Sequence, residues 1–385
     1  MIPYGRQEIS QEDIDSVIEV LQSPFLTQGP KVPEFENKVS EYTGVGYCAA
    51  FNSATSALHA ACCALELQEN DIFWTSPISF VASANCGLYC GAKVDFVDID
   101  PVTNNICSQA LEKKLDSAKK AGLLPKLIIV VHLSGMPCDM EAIYSLSVKF
   151  NFKIIEDASH AIGSEYNNFM TGSCKYSDIT VFSFHPVKII TTAEGGMATT
   201  NNEQIFNALS MLRTHGITRD ESKMFKSPDG PWYYEQQILG FNYRMTDLQA
   251  ALGISQLSKI RQFLVKRRVV EKKYDSELSN LPLLLPRKCN KSVSALHLYI
   301  IKLKLDETRY SHKEVFMKLR SKGIGVNLHY IPIYRQPYFK KFTFNPDNFP
   351  NSENFYNTAI SIPMFPSMSE DDQGKVIETI SSILS

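Results

Sequence analysis

The run Val181-Phe182-Ser183-Phe184-His185-Pro186-Val187-Lys188 ends an apolar stretch at a single lysine, and Ile189-Ile190-Thr191-Thr192-Ala193-Glu194-Gly195-Gly196 follows it. An amine held against a buried strand loses part of its preference for the charged form and becomes a nucleophile toward carbonyls. In Glu156-Asp157-Ala158-Ser159-His160, Asp157 follows a second apolar run and could hold a protonated ring nitrogen. Asn52-Ser53-Ala54-Thr55-Ser56-Ala57 sets small hydroxyl residues at the start of a helical stretch, where free N–H groups can cradle an anion. Phe80, after Pro77-Ile78-Ser79, offers a flat aromatic face. Each feature has a plain alternative: a loop lysine, an exposed loop acid, a helix cap, a core ring. Their order along the chain carries more than any one of them. A cradle, a ring, a carboxylate, Ser183 and then an amine match the phosphate, pyridine face, ring nitrogen and aldehyde of pyridoxal 5′-phosphate.

The elements that must position these residues alternate. Strand-like runs fall at 49–51, 72–75, 94–97, 127–131, 152–155, 179–184 and 197–199, with helical stretches at 56–67, 80–90, 108–121, 140–150 and 203–212. Such alternation predicts a mainly parallel central sheet with helices on both faces, and ligands beyond the carboxyl ends of its strands. Ser10-Gln-Glu-Asp13 has the form of a capping box and opens a helix to about Leu21, and a second helix spans 33–42 and ends at Gly44. Thr246-Asp-Leu-Gln249 opens a long helix to about Leu278, after which a strand at 297–303 and helices near His312 and Ser369 form a smaller α+β pattern. The expected division is a large cofactor-binding domain with an N-terminal arm over residues 1–250 and a small C-terminal domain over 251–385.

The balance of 39 basic against 41 acidic residues gives no one-sided field, which disfavours nucleic acid or an anionic membrane as partner. The nine cysteines are an odd, scattered set without a C-x-x-C; Cys62 and Cys63 are adjacent, and Cys86 and Cys90 lie one helical turn apart. That pattern points to reduced thiols in a cytosol rather than a disulfide framework or a metal site. Residues 1–13 lack the apolar core of a signal peptide, and apolar runs such as 60–65 and 127–131 are too short to span a bilayer. A soluble cytoplasmic protein is the expectation.

The chain resembles the sugar-nucleotide aminotransferases of the DegT/DnrJ/StrS family over essentially its whole length. The likeness runs from Leu26-Thr27-Gln28-Gly29 through 53–57, 77–85, 132–139 and 156–163 to the segment F-S-F-H-x-x-K-x-x-T-x-x-E-G-G, which is very specific for the family, and on through 240–253 and 326–338. The resemblance implies the PLP fold-type I (aspartate aminotransferase-like) architecture. It implies that Lys188 bonds to the cofactor aldehyde and later moves the proton, and that Asp157 keeps the pyridine nitrogen protonated. Phe80 would stack on the ring with His160 near it, while Ala54, Thr55, Ser56 and Ser183 hold the phosphate end. Asn242, in Gly240-Phe-Asn-Tyr-Arg244, would reach the phosphate of a partner subunit, which implies a homodimer with shared sites. Tyr4, Leu26, Thr27, His329 and Tyr330 would face the substrate.

Within the family, the likeness to the pseudaminic acid branch implies amination at C4 of a UDP-linked 4-keto-6-deoxy-N-acetyl-hexose, with L-glutamate as donor and 2-oxoglutarate as product. Leu328 departs from the family pattern, in which Val is common, and could alter the sugar pocket. Alternatives are an aminotransferase of perosamine, bacillosamine or 4-amino-arabinose type, or a sugar dehydratase of the same fold, against which Lys188 stands because that branch typically carries histidine there. From outside the fold, Asp98-Ile99-Asp100 matches the metal-binding D-x-D of glycosyltransferases, although Pro101 after it suggests a turn. A binding or regulatory module without catalysis is disfavoured by the absence of a basic segment.

Overall fold

The computed structural model describes all residues, 1–385. Seven strands build the main sheet: β1 (Tyr47–Phe51), β2 (Ile72–Thr75), β3 (Lys93–Phe96), β4 (Leu127–Val131), β5 (Lys153–Asp157), β6 (Ile179–Ser183) and β7 (Gly196–Thr200). Their order is β1-β7-β6-β5-β4-β2-β3. Only β7 runs against its neighbours, β1 and β6, and the other pairings are parallel. Every strand predicted from the sequence is present, within two residues at each end.

Period-two alternation explains why both faces are covered. Phe73, Leu127, Ile129, Ile155, Ile179 and Val181 point to one side, onto α3 (Ala54–Ala64) and α4 (Ala82–Tyr89). Trp74, Ile128, Val130 and Ile154 point to the other, onto α5 (Ser108–Ala121) and α6 (Met140–Phe150). On that second side, nearer β1 and β7, Cys48, Ala50, Phe182 and Met197 meet Phe35 and Val39 of the helix Lys31–Thr43. That helix ends where Gly44 takes φ 74°, the left-handed conformation glycine adopts without strain.

The expected single long helix after Thr246 is two. Helix Asp247–Ser258 stops and Ile260–Glu277 restarts across Lys259, whose φ/ψ of −101°/−1° lie at the edge of the helical region. The change of core falls inside the second helix, after Leu264, rather than at the break. Ala250, Leu257, Phe263 and Leu264 pack with Phe35 and Phe184, whereas Val270, Tyr274 and Leu278 pack with Tyr299 and Ile301. Lys259 is anchored at the break, its Nζ 2.6 Å from Asp13 Oδ1 and donating to Ser10 Oγ at 2.6 Å. Beyond it, strands Tyr299–Leu303 and Ala359–Ile362 pair antiparallel and are backed by helices His312–Ser321 and Glu370–Leu384.

Two long-range contacts bring this C-terminal part to the main sheet. Ile2 forms a parallel bridge with Ile324, so the N-terminal arm lies in the C-terminal core. The segment after Ile331 returns to the main sheet: the Ile333 N–H donates to the Pro77 carbonyl at 2.9 Å, and Ile333, Tyr334 and Phe339 join the core of α3 and α4.

Arg267 is 1% exposed and donates through one terminal nitrogen to the carbonyls of Leu296, His297 and Met364 at 3.1, 3.2 and 3.1 Å. Burial pulls its guanidinium down to about 9, so the three carbonyls are what hold the charge there. Arg267→Ala would leave those carbonyls without a partner and is expected to destabilise the protein by roughly 3 kcal/mol, read as a lowered urea midpoint. An unchanged midpoint would contradict this account.

Candidate active site

The carboxyl ends of β1, β4, β5 and β6, with the amino end of the reversed β7, surround a cavity of about 570 Å³. Phe51, Gly196 and Ser183 lie in register across β1, β7 and β6, and Val131 pairs with Asp157 across β4 and β5. Of the residues expected at the site, Tyr4, Ala54, Thr55, Phe80, Asp157, His160, Ser183, Lys188, His329 and Tyr330 line this one cavity.

Lys188 sits in the β6–β7 connection, residues 184–195. That loop is closed by N–H donation from Phe184 to the Gly195 carbonyl (2.9 Å), and from Thr192 back to the Phe184 carbonyl (2.9 Å). Burial pulls the Lys188 ammonium down to about 8, and the charge of Asp157 works against a larger fall. Part of the amine population is therefore uncharged near neutrality and open to the cavity.

Asp157 is the last residue of β5 and 5% exposed, which sets aside the reading of an exposed loop acid. Adjacent strand residues point to opposite faces, and this separates the two acids of the motif. Glu156 turns away to accept hydrogen bonds from His132 Nε2 (2.7 Å) and Thr180 Oγ1 (2.9 Å). Asp157 turns to the cavity, fixed by Ser83 Oγ donating to Oδ2 and Ser159 Oγ donating to Oδ1, both at 2.6 Å.

At the start of α3, Ser53 accepts the Ser56 N–H (3.1 Å), and the first helical N–H groups have no intrahelical partner. Gly196 allows this turn to lie directly on β7, because a Cβ there would stand 2.6 Å from the Ser53 carbonyl group and the Ala54 nitrogen. Phe80 is 58% exposed, so its ring is a free wall of the cavity rather than core.

His160 is buried and held well below the ordinary histidine range, chiefly by that burial and then by Lys188. Its Nδ1 accepts the Ser134 N–H (3.3 Å), which leaves the proton on Nε2 to donate to Tyr330 Oη at 3.1 Å. Burial raises the Tyr330 phenol, so its own proton is retained and free to donate. His329 is pushed down to about 4 by burial and then by Lys188. The Asn327 amide lies 3.2 Å from its Nε2 and Ser361 Oγ lies 2.8 Å from its Nδ1, so only its ring face is open.

Four expected residues do not line this cavity. Ser56 is buried behind it, donating to Asn52 Oδ1 at 2.5 Å, and Ser53 stands at the wall instead. Leu26 and Thr27 are exposed in the loop between the first two helices, where the Leu26 carbonyl accepts the Asp247 N–H (3.0 Å). Asn242 is exposed, and its backbone carbonyl accepts from the Asn52 amide at 3.3 Å. Ser159, His185 and Glu194 line the cavity from within motifs already singled out, whereas Ser79 and Ser83, which link to Asp157, were missed beside Phe80. His297 and Asn327 were not singled out, although one opens a predicted strand and the other lies in the 326–338 likeness, because only long-range packing by Arg267 and the N-terminal arm brings them to the cavity.

The D-x-D pair is structural. Asp98 accepts from Ser352 Oγ (2.6 Å) and the Asn351 N–H (3.0 Å), and Asp100 from the N–H groups of Val102 (2.9 Å) and Thr103 (2.7 Å). Both carboxylates stabilise turns rather than face an open site.

Residues 7–381 match the model of the DegT/DnrJ/EryC1/StrS aminotransferase family. The UDP-4-amino-4,6-dideoxy-N-acetyl-beta-L-altrosamine transaminase of Campylobacter jejuni is 39% identical over 386 residues, covering 100% of this chain and 98% of the relative. Among solved structures, Helicobacter pylori PseC, an aminotransferase involved in the biosynthesis of pseudoaminic acid, superposes with a TM-score of 0.90 at 31% identity, covering 100% of this chain and 99% of that one. The PLP-form of the sugar aminotransferase Spr1654 from Streptococcus pneumoniae, itself described as putative, gives a TM-score of 0.88 at 28% identity, covering 99% and 98%.

The electrostatics give a direct check. Labelling of Lys188 by an amine-selective reagent in cofactor-free protein, followed by peptide mass spectrometry, is expected to rise with pH through a midpoint at about 8. Asp157→Asn removes the charge that favours the ammonium and shifts that midpoint down. A midpoint at the ordinary lysine value in both proteins would contradict the assignment.

Proposed function

The chain belongs to the DegT/DnrJ/EryC1/StrS aminotransferase family, and we propose that it transfers an amino group from L-glutamate to C4 of a UDP-linked 4-keto-6-deoxy-N-acetyl-hexose, with pyridoxal 5′-phosphate as cofactor. The observation that carries this reading is the pairing, in one cavity, of a lysine tuned to about 8 with a buried, doubly hydrogen-bonded aspartate. The 39% identity to a transaminase of that sugar type supports the substrate class.

The residues present fit the cofactor. The first turn of α3, pressed against β7 at Gly196, suits a phosphate, together with Ser183. The exposed ring of Phe80 suits the pyridine face, and the Asp157 carboxylate suits a protonated ring nitrogen. When bound, pyridoxal 5′-phosphate supplies an aldehyde that bonds to amines and a ring that accepts the electron pair released at Cα.

The chain's own residues do the rest. Lys188 Nζ accepts the Cα proton in its uncharged form and returns it as the ammonium, and a value near 8 keeps both forms accessible. Asp157, locked by Ser83 and Ser159, keeps its charge aimed into the cavity. Tyr330, fixed by the His160 Nε2 proton, remains a phenol that can donate to an oxygen of the bound ligand. The C-terminal segment 327–330 and Tyr4 form the sugar side of the cavity.

We also propose a homodimer in which Asn242, exposed beside Asn52, reaches the phosphate of the partner subunit. Leu328 lines the cavity, so a related 4-keto sugar nucleotide is the second reading.

The test is release of 2-oxoglutarate from glutamate with two epimeric UDP-4-keto-6-deoxy-N-acetyl sugars, with the amino sugar identified by mass and NMR. Turnover with one epimer and its loss in Lys188→Ala are expected, and a cofactor-loaded protein inert toward both epimers would end the proposal. Gly196→Ala is expected to raise the Kd for pyridoxal 5′-phosphate at least about tenfold, as displaced cradle N–H groups lose charge-assisted hydrogen bonds. An unaltered Kd would show that the α3 turn does not hold the phosphate.

A further inference from the structure

Cysteine spacing alone gave no metal pattern, yet the fold assembles one along α3, beyond its first turn at the cavity. His59 and Cys63 lie four residues apart on α3, and Cys90 caps the C-terminus of α4, which packs against it. The ligand atoms of His59, Cys63 and Cys90 all lie within 4.8 Å of one another. We propose that these three side chains form a site for a thiophilic d¹⁰ cation of the Zn²⁺ type.

The sulfur geometry selects this class. Cys63 Sγ and Cys90 Sγ are 3.7 Å apart, and two thiolates on one tetrahedral zinc at about 2.3 Å each stand about 3.8 Å apart. A disulfide would need the sulfurs at about 2.05 Å, so it would draw them well inside that separation. The imidazole is held as metal-bound histidines are. Its Nδ1 lies 3.0 Å from Tyr243 Oη, leaving Nε2 as the ligating nitrogen. Phe241 packs on the ring with centroids 4.8 Å apart, restricting its rotation.

Access and coordination number also fit. Cys63 and Cys90 are half-buried, so a cation can enter from solvent. Three protein ligands leave a fourth position for water. Each bound thiol gives up its proton on ligation. Because α3 begins at Ala54 in the catalytic cavity and α4 lies just beyond Phe80, a cation joining their far ends would fasten both walls of that cavity to each other.

The test uses the reduced, cofactor-loaded protein dialysed against ZnCl₂, with zinc counted by mass spectrometry and its coordination read by X-ray absorption. Expected are about one zinc per chain and a shell containing two sulfurs at about 2.3 Å. Affinity should fall at least about tenfold in Cys63→Ser/Cys90→Ser and less in His59→Gln. Zinc should also raise the thermal midpoint of the unsubstituted protein but not of the double variant. Zinc well below one per chain, a shell without sulfur, or undiminished binding by the double variant would each overturn the proposal. The absorption measurement on the unsubstituted protein decides the matter even if a variant folds poorly.

Discussion

Keeping one amine out of bulk water sets the terms for the rest of the structure. Moving the Lys188 ammonium from its usual range to about 8 corresponds to roughly 3 kcal/mol of lost preference for the charged form. That loss is useful only if nothing else in the cavity reverses it. A bare carboxylate with mobile oxygens could rotate into a direct ion pair and restore the ordinary basicity. Ser83 and Ser159 oppose this by holding both oxygens of Asp157, so its charge acts on the amine from a fixed position. The neighbouring imidazoles of His160 and His329 are buried and depressed, and as neutral rings they add no positive charge to compete with Lys188.

The reversed strand β7 is the architectural side of the same constraint. In a wholly parallel sheet the chain leaving β6 would need a crossover before returning. Because β7 is antiparallel, the Lys188 loop turns back directly between β6 and β1. The connection over 184–195 is drawn closed by N–H donation from Phe184 to Gly195 and from Thr192 to Phe184, and it ends at the glycine on which the first turn of α3 rests. The anion-binding turn and the amine are thus held by one strand junction, and a change in either is transmitted to the other without a long lever.

What could be read from the sequence divides along these lines. The seven strands and the helices between them were legible because each is bounded by local pattern, a two-residue or helical period ending at turn residues. Lys188, Asp157, Phe80 and the 53–55 turn were legible for the same reason, since each sits where an apolar run stops. The break at Lys259 was not, because its anchor is a partner, Asp13, near the other end of the chain. Ser83 escaped notice because a helical serine next to small residues carries no local signal, and only its distance to Asp157 gives it a role. Ser56 was expected at the phosphate end from the family resemblance, whereas hydrogen bonds to Asn52 and Ser53 turn it inward.

The wall formed by Tyr4, His297 and residues 327–330 was least legible because it is made by closing the chain on itself. The bridge from Ile2 to Ile324 brings Tyr4 beside His329, with ring centroids 5.1 Å apart, and the return of Ile333 to Pro77 sets Tyr330 between that pair and Phe80. Arg267 completes the wall by gripping the carbonyls of Leu296 and His297, which leaves the His297 ring 4.4 Å from that of His160. The half of the cavity that holds Lys188 and Asp157 therefore rests on contacts within one sheet, while the opposite half depends on contacts between distant segments. His329 belongs to that second half and still bears on the amine, since its burial keeps the ring neutral beside Lys188. Leu328 lines that second half, whose shape is set by the packing of distant segments rather than by the sheet.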